Sequence, residues 1–159
     1  MHTTLLCLLA LTELFPSNAS PSYSEKVGKT YLDKLGVCVQ VSNKAESMGV
    51  LPSLAVSIAY EESGFNENVK SSAGAIGPMQ VLPRYGCPNG VKGCDLIEAG
   101  LRILKNWQKR FKKPKDFLCH YNAGNRCTKA SRGYARRVLW RQKRLQVQMK
   151  NASWDFEQY

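Results

Sequence analysis

Glu62 is the residue around which a reaction could be built. It stands in Tyr60-Glu61-Glu62-Ser63-Gly64-Phe65-Asn66, directly after Leu51-Pro52-Ser53-Leu54-Ala55-Val56-Ser57-Ile58-Ala59, an uncharged stretch of helical character. At about 100° per residue, Glu62 falls in the middle of the face made by Leu51, Ala55, Ile58 and Ala59, while Glu61 sits at its edge. Desolvating an ionised carboxylate on an apolar face is costly, and the group responds by keeping its proton to higher pH. A carboxylic acid still protonated near neutrality can act as a general acid. The same phase also fits a helix that ends at Gly64 and turns Glu62 into solvent as an ordinary surface acid, so the flanking motifs must decide.

Those motifs are Ser71-Ser72-Ala73-Gly74-Ala75-Ile76-Gly77-Pro78-Met79-Gln80, Tyr121-Asn122-Ala123-Gly124 and Gly133-Tyr134-Ala135. Each has a plain structural reading: Met79 as core, Gly74 and Gly77 as turn residues, Tyr121 and Tyr134 as buried aromatics whose hydroxyls find backbone partners. Acid–base cleavage of a bond often takes two carboxylates, one to protonate the leaving atom and one to act as base or nucleophile. The other acids near these motifs, Glu67, Asp95, Glu98 and Asp116, lie on polar stretches and are poor candidates for the second. With one inward acid, a single group would have to give a proton first and take one back later.

The elements that must position these groups are helical. Tyr31 and Leu35, with Tyr23 and Val27, recur about every fourth residue and predict a short amphipathic helix over 20–36 ended by Gly36, followed by a second over 37–48 that stops at Gly49. Pro52 suits the first turn of the helix carrying Glu62. Residues 64–93, rich in Gly, Pro, Ser and Asn, read as loop with one helical turn near Met79. Leu96, Ala99, Gly100, Ile103, Leu104 and Trp107 then mark a helix N-capped by Asp95 and stopped by Pro114. A short helix starts near Asp116, and residues 131–149 form a basic one. No repeat and no useful strand alternation occurs, so the fold is expected to be mainly α, in a single domain.

Four stretches in register resemble one family. Glu62-Ser63-Gly64-Phe65-Asn66, Ala73 to Gln80, Ala99-Gly100-Leu101 before Tyr121-Asn122-Ala123-Gly124, and Gly133-Tyr134-Ala135 with Val138 are similar to the soluble lytic transglycosylase domain. The resemblance implies a lysozyme-like fold and cleavage of the glycan strands of peptidoglycan, at the MurNAc–GlcNAc linkage, leaving a 1,6-anhydromuramyl end. It implies Glu62 as the catalytic acid. Ser71, Met79, Gln80, Tyr121, Asn122 and Tyr134 are implied as substrate-binding residues, with Ser71 placed to bond the acetamido group or 6-hydroxyl of the muramyl sugar. The sequence departs from the family in having Pro78 where Leu is usual, and Cys119-His120 before the Tyr-Asn pair where Ala is usual. A hydrolysing muramidase and a non-catalytic wall-binding module remain the alternatives, and no metal or redox cofactor is implied.

The rest of the chain sets the context. The 159 residues are one domain's worth, and the net charge of +11 favours polyanionic partners. Leu5 to Leu11 is too short to span a bilayer, and Ser17-Asn18-Ala19 offers small residues to a signal peptidase, so 1–19 reads as a signal peptide or, failing cleavage, an anchor. The expected divisions are therefore a signal peptide at 1–19, a helical extension at 20–39, a catalytic domain at 40–140, and a basic helix and tail at 141–159. An exported protein, periplasmic, extracellular or virion-associated, can hold disulfides, and Cys87–Cys94 and Cys119–Cys127 bracket short turn-rich loops; a zinc site or reduced cysteines are the other readings. Cys38 would be left over. Residues 132–150 carry seven positive charges and no negative one, by default a solvated face, and otherwise a surface for anionic wall polymer or lipopolysaccharide. With only Tyr134 and Trp140 as aromatics there, nucleic acid is not expected. The motifs do not distinguish wall turnover from a secretion, conjugation or phage infection assembly.

Overall fold

The run from Leu54 to Ala59 is apolar or small at every position, so the helix it forms has no polar face to give to water and belongs at the centre of the molecule. In the computed structural model, which describes residues 2–15 and 24–156, those six residues are all buried. This helix, α3, spans Pro52–Ser63; α1 (His2–Thr12), α2 (Ser24–Ser47) and α7 (Lys129–Phe156) pack around it. Pro52 opens the first turn, as its fixed φ favours, and Gly64 closes the helix at φ 55° with its N–H on Tyr60 O. Lys34 of α2 donates to the Gly64 carbonyl.

The remaining helices are α4 (Pro83–Gly86), α5 (Leu96–Arg110) and α6 (Pro114–Ala123). Asp95 caps α5 by accepting from Glu98 N at 2.9 Å. No strand forms among the described residues; the loop before α4 is held by isolated bridges of Ile76 to Lys70 and Val81. Within it Gly77 to Gln80 make a turn, Gln80 N donating to Gly77 O at 3.1 Å, with Pro78 at the position whose φ the ring presets. The core joins α2, α3, α5, α6 and α7 through Val41, Ile58, Leu101, Leu118 and Val138, among others.

Several expectations are corrected. The helix expected to end at Gly36 runs on without a break, and α2 crosses Gly36. Tyr31 and Leu35 pack on the core, whereas Tyr23 lies outside the described residues. The helical turn expected near Met79 is instead α4, and Pro114 begins α6 after α5 has already ended at Phe111.

The expected bridges Cys87–Cys94 and Cys119–Cys127 are both present, and a third joins Cys7 of α1 to Cys38 of α2. α1 buries Leu6, Cys7, Ala10 and Leu11, and just beyond its end Glu13 pairs with Arg141 and, at 3.2 Å, with Arg144. Ser17-Asn18-Ala19 falls outside the described residues. Among the described residues no helix is long and apolar enough to cross a membrane.

Because α2 is helical through Gly36, and a Cβ there meets nothing within 4 Å, the glycine carries only its entropic cost. Gly36→Ala is expected to raise stability by about 0.5–1 kcal/mol in denaturant unfolding. A loss of stability would show that the chain breaks at Gly36 after all.

Candidate active site

Consecutive helical residues point about 100° apart, and at the end of α3 this separates two carboxylates into two environments. Glu61 turns to α7. It accepts from Arg137 Nε at 2.8 Å and pairs with Arg141 Nη2 at 3.1 Å, while Arg141 also pairs with Glu13 and lies 3.3 Å over the Tyr60 ring. Glu62 turns the other way, onto a cleft of about 700 Å³.

Among the described residues Glu62 is the only carboxylate lining that cleft. Burial pushes its pKa up from 4.5 to about 7; the Tyr134 hydroxyl pulls it back, and the negative charge of Glu61 next door adds to the rise. The Tyr134 hydroxyl is itself buried, and burial and the Glu62 charge both push its own pKa up. The acids set aside as poor partners stand elsewhere: Asp95 and Glu98 pair with Lys44, at 2.9 and 3.4 Å, and neither Glu67 nor Asp116 lines the cleft.

Five of the seven sequence-predicted site residues, Glu62, Ser71, Gln80, Tyr121 and Asn122, line the cleft together. Ser71 Oγ accepts from Ala75 N at 3.0 Å, which leaves its own proton to donate. Gln80 sits at φ 49°, a strained conformation for a non-glycine residue, and its amide nitrogen donates to Val69 O and Gly77 O at 3.2 and 3.1 Å. Both amide protons are thereby used, and the side-chain oxygen remains as an acceptor. Tyr121 Oη donates to Met79 O at 2.9 Å.

Met79 and Tyr134 do not line the cleft. Met79 is wholly buried against α5, where a Cβ on Gly100 would come within 2.6 Å of the Met79 Cβ. The Ala-Gly-Leu glycine is therefore a close-approach site: it lets Met79 settle on α5, and the Met79 carbonyl then orients Tyr121.

Three contributors were missed in the sequence. Ser63, read only as part of the Glu-Ser pair, donates to Pro78 O at 2.8 Å and ties the loop to the end of α3. The Arg137 and Arg141 contacts with Glu61 were hidden in a run read as a solvated basic face; their i, i+4 spacing was the available signal. The third is a ring cluster: His120 stacks against both Trp107, 5.1 Å away, and Phe111, 4.1 Å away, with its Nδ1 on Gly124 O at 2.7 Å. No three His, Cys, Asp or Glu side chains group as a metal site among the described residues.

The acid's environment gives a stability signature. Unfolded, Glu62 loses its proton near 4.5; folded, it keeps it to about 7, so stability falls as pH rises between those values. Glu62→Gln removes that loss. The stability of the variant relative to wild type is expected to grow by about 1–3 kcal/mol from acid to mildly alkaline pH, and parallel pH profiles would contradict the shifted acid.

The sequence model of one known family, the transglycosylase SLT domain, matches residues 40–142. No solved structure matches the chain. The match begins inside α2 and ends in α7, so it takes in α3, the loop, the cleft and Tyr134. The chain belongs to the transglycosylase SLT domain family, and its helices form a single-domain, lysozyme-like fold.

Proposed function

We propose that the protein is a lytic transglycosylase that cuts the MurNAc–GlcNAc β-1,4 bond of peptidoglycan and leaves a 1,6-anhydromuramyl end. Family membership supports transglycosylase action on peptidoglycan in general. The finer reading rests on one observation: among the described residues the cleft holds a single carboxylate, whose proton is retained to about 7.

In the first step Glu62 gives its proton to the glycosidic oxygen as the bond to the muramyl C1 breaks, and the muramyl acetamido oxygen closes on C1. In the second, the Glu62 carboxylate takes the proton of the muramyl 6-hydroxyl as that oxygen attacks C1 and the acetamido group is released. The acid ends protonated and no water is consumed. Ser71, with a free hydroxyl proton, suits the acetamido group or the 6-hydroxyl; Gln80 and Asn122 offer acceptors and donors to the sugar. Tyr121 and Tyr134 exclude water beside the acid, and Met79 supports Tyr121 from behind. Elevation of the Glu62 pKa implies that kcat/KM falls as pH rises through about 7.

Mass spectrometry of fragments released from purified sacculi tests this. The muramyl ends are expected to be one water lighter than hydrolysed ends, and Glu62→Gln is expected to lower the rate by at least ~100-fold with its fold intact. Reducing muramic ends would assign a hydrolase, and a fully active variant would remove Glu62 from the chemistry.

We further propose that the chain is exported and loses residues 1–19 after Ala19. Action on wall glycan and three disulfides support export. Cleavage carries a definite cost, because it removes α1, deprives Cys38 of Cys7, and leaves Arg141 with Glu61 alone. The mature protein is expected to begin at Ser20 and to present one thiol to alkylation. An intact chain with no free thiol would show that α1 stays as part of the domain.

A further inference from the structure

The acid occupies one part of the cleft, and the wall formed by α4 and α5 has no role in proton transfer. Along α5, Ile103, Asn106, Trp107 and Arg110 stand at i, i+3, i+4 and i+7 and present one stripe to the cleft. Arg84 and Tyr85 of α4 continue that wall, and Arg102 Nη2 fastens α4 to α5 by donating to Gly86 O at 2.7 Å. Gly86 packs close to Ile103, so Arg84 and Arg110 stand at opposite ends of a wall roughly 10 Å long, two turns of α5.

Both arginines are exposed, and among the described residues neither is paired with a carboxylate. Each is instead held against a ring: Arg84 lies 4.8 Å from the Tyr85 centroid, and Arg110 lies 4.6 Å from that of Trp107 and 5.8 Å from that of Phe111. Trp107 and Phe111 are fixed in turn by the His120 stack. A guanidinium resting on a ring keeps its in-plane N–H fork free, which is the geometry that binds a carboxylate through two parallel hydrogen bonds. Away from the cleft, Arg137 and Arg141 are both paired with Glu61. Two ring-supported and unpaired cations on one cleft wall therefore describe a ligand with negative charge beside its sugar rings.

We propose that Arg84 and Arg110 form a carboxylate-recognition wall that takes the free carboxylates of the peptide stems borne by the muramyl residues. This rests on the reading of the cleft as a peptidoglycan site and adds a selection: strands with ionised stems are preferred over strands whose stem carboxylates are masked.

The test is calorimetric binding of soluble glycan–peptide oligomers to the full chain carrying Glu62→Gln, which holds the ligand without turning it over. The oligomers are used in two forms, one with free carboxylates and one amidated with methylamine. Amidation is expected to weaken binding about tenfold, and adding Arg84→Gln and Arg110→Gln should bring both forms to the same weaker affinity. Lysine at both positions keeps the charge without the fork and should fall between. Since both side chains are exposed, melting temperatures should not move.

Equal binding of the two forms by the starting protein would overturn the proposal. So would an amidation effect that survives in the double variant, because another cation would then be responsible. Turnover by the wild type separates the two readings. Stem-selective binding without any cleavage of sacculi would overturn the transglycosylase reading alone, whereas cleavage without selectivity would overturn the arginine wall alone.

Discussion

A carboxyl group carried at the end of a buried, charge-free helix is the constraint from which the rest of the site follows. α3 is apolar on every side, so its packing leaves the chain emerging at Glu61 and Glu62 with little water around it. Two adjacent carboxylates in such a place cannot both remain ionised without partners. The molecule resolves this by giving one of them two arginines and the other none. Glu61 pairs with Arg137 and Arg141, and burial, with the Glu61 charge added to it, keeps the Glu62 proton on to about 7. Donating the proton then relieves the burial that retained it.

Holding that arrangement requires the surrounding loop to be stiff. Ser63 binds the Pro78 carbonyl, Tyr121 binds the Met79 carbonyl, and Gln80 binds Val69 and Gly77, so each residue of the turn is fixed from a different direction. Among the described residues two that are not glycine, Phe65 and Gln80, adopt positive φ, both in the chain that follows the acid. Such strain persists only where the surroundings over-determine it, and here the buried Phe65 ring and the Gln80 amide bonds do so. Cys87–Cys94 and Cys119–Cys127 close the short loops that follow α4 and α6, next to the cleft walls.

Much of this was legible in the residues. α3 and α5 announce themselves through local chemistry, Pro52 at the first turn, Gly64 in the left-handed region, and Asp95 on Glu98 N, because caps act within a few residues. Glu62 could be aimed correctly by helical phase. Gly36 misled because a glycine is a stop only where a left-handed residue is needed, and tertiary packing carried α2 through it. Pro114 misled for a related reason, since the residue that ends one helix is equally suited to begin the next. Met79 was placed at the sugar by motif, although its side chain lies under Gly100. The partners of Glu61 lie 76 and 80 residues away, and no local pattern reports which side of a basic helix will meet a buried acid.

The central claim is that Glu62 is a neutral acid at the pH where the protein works, and its carboxyl carbon can be observed directly. A carbon-detected NMR titration of the full chain labelled at glutamate carboxyls, with Glu62→Gln to assign the signal, measures the ionisation itself. A midpoint near 7 is the predicted result. A midpoint near the ordinary 4.5 would leave an ionised carboxylate in the cleft and no proton to give, and the account of the site would fail.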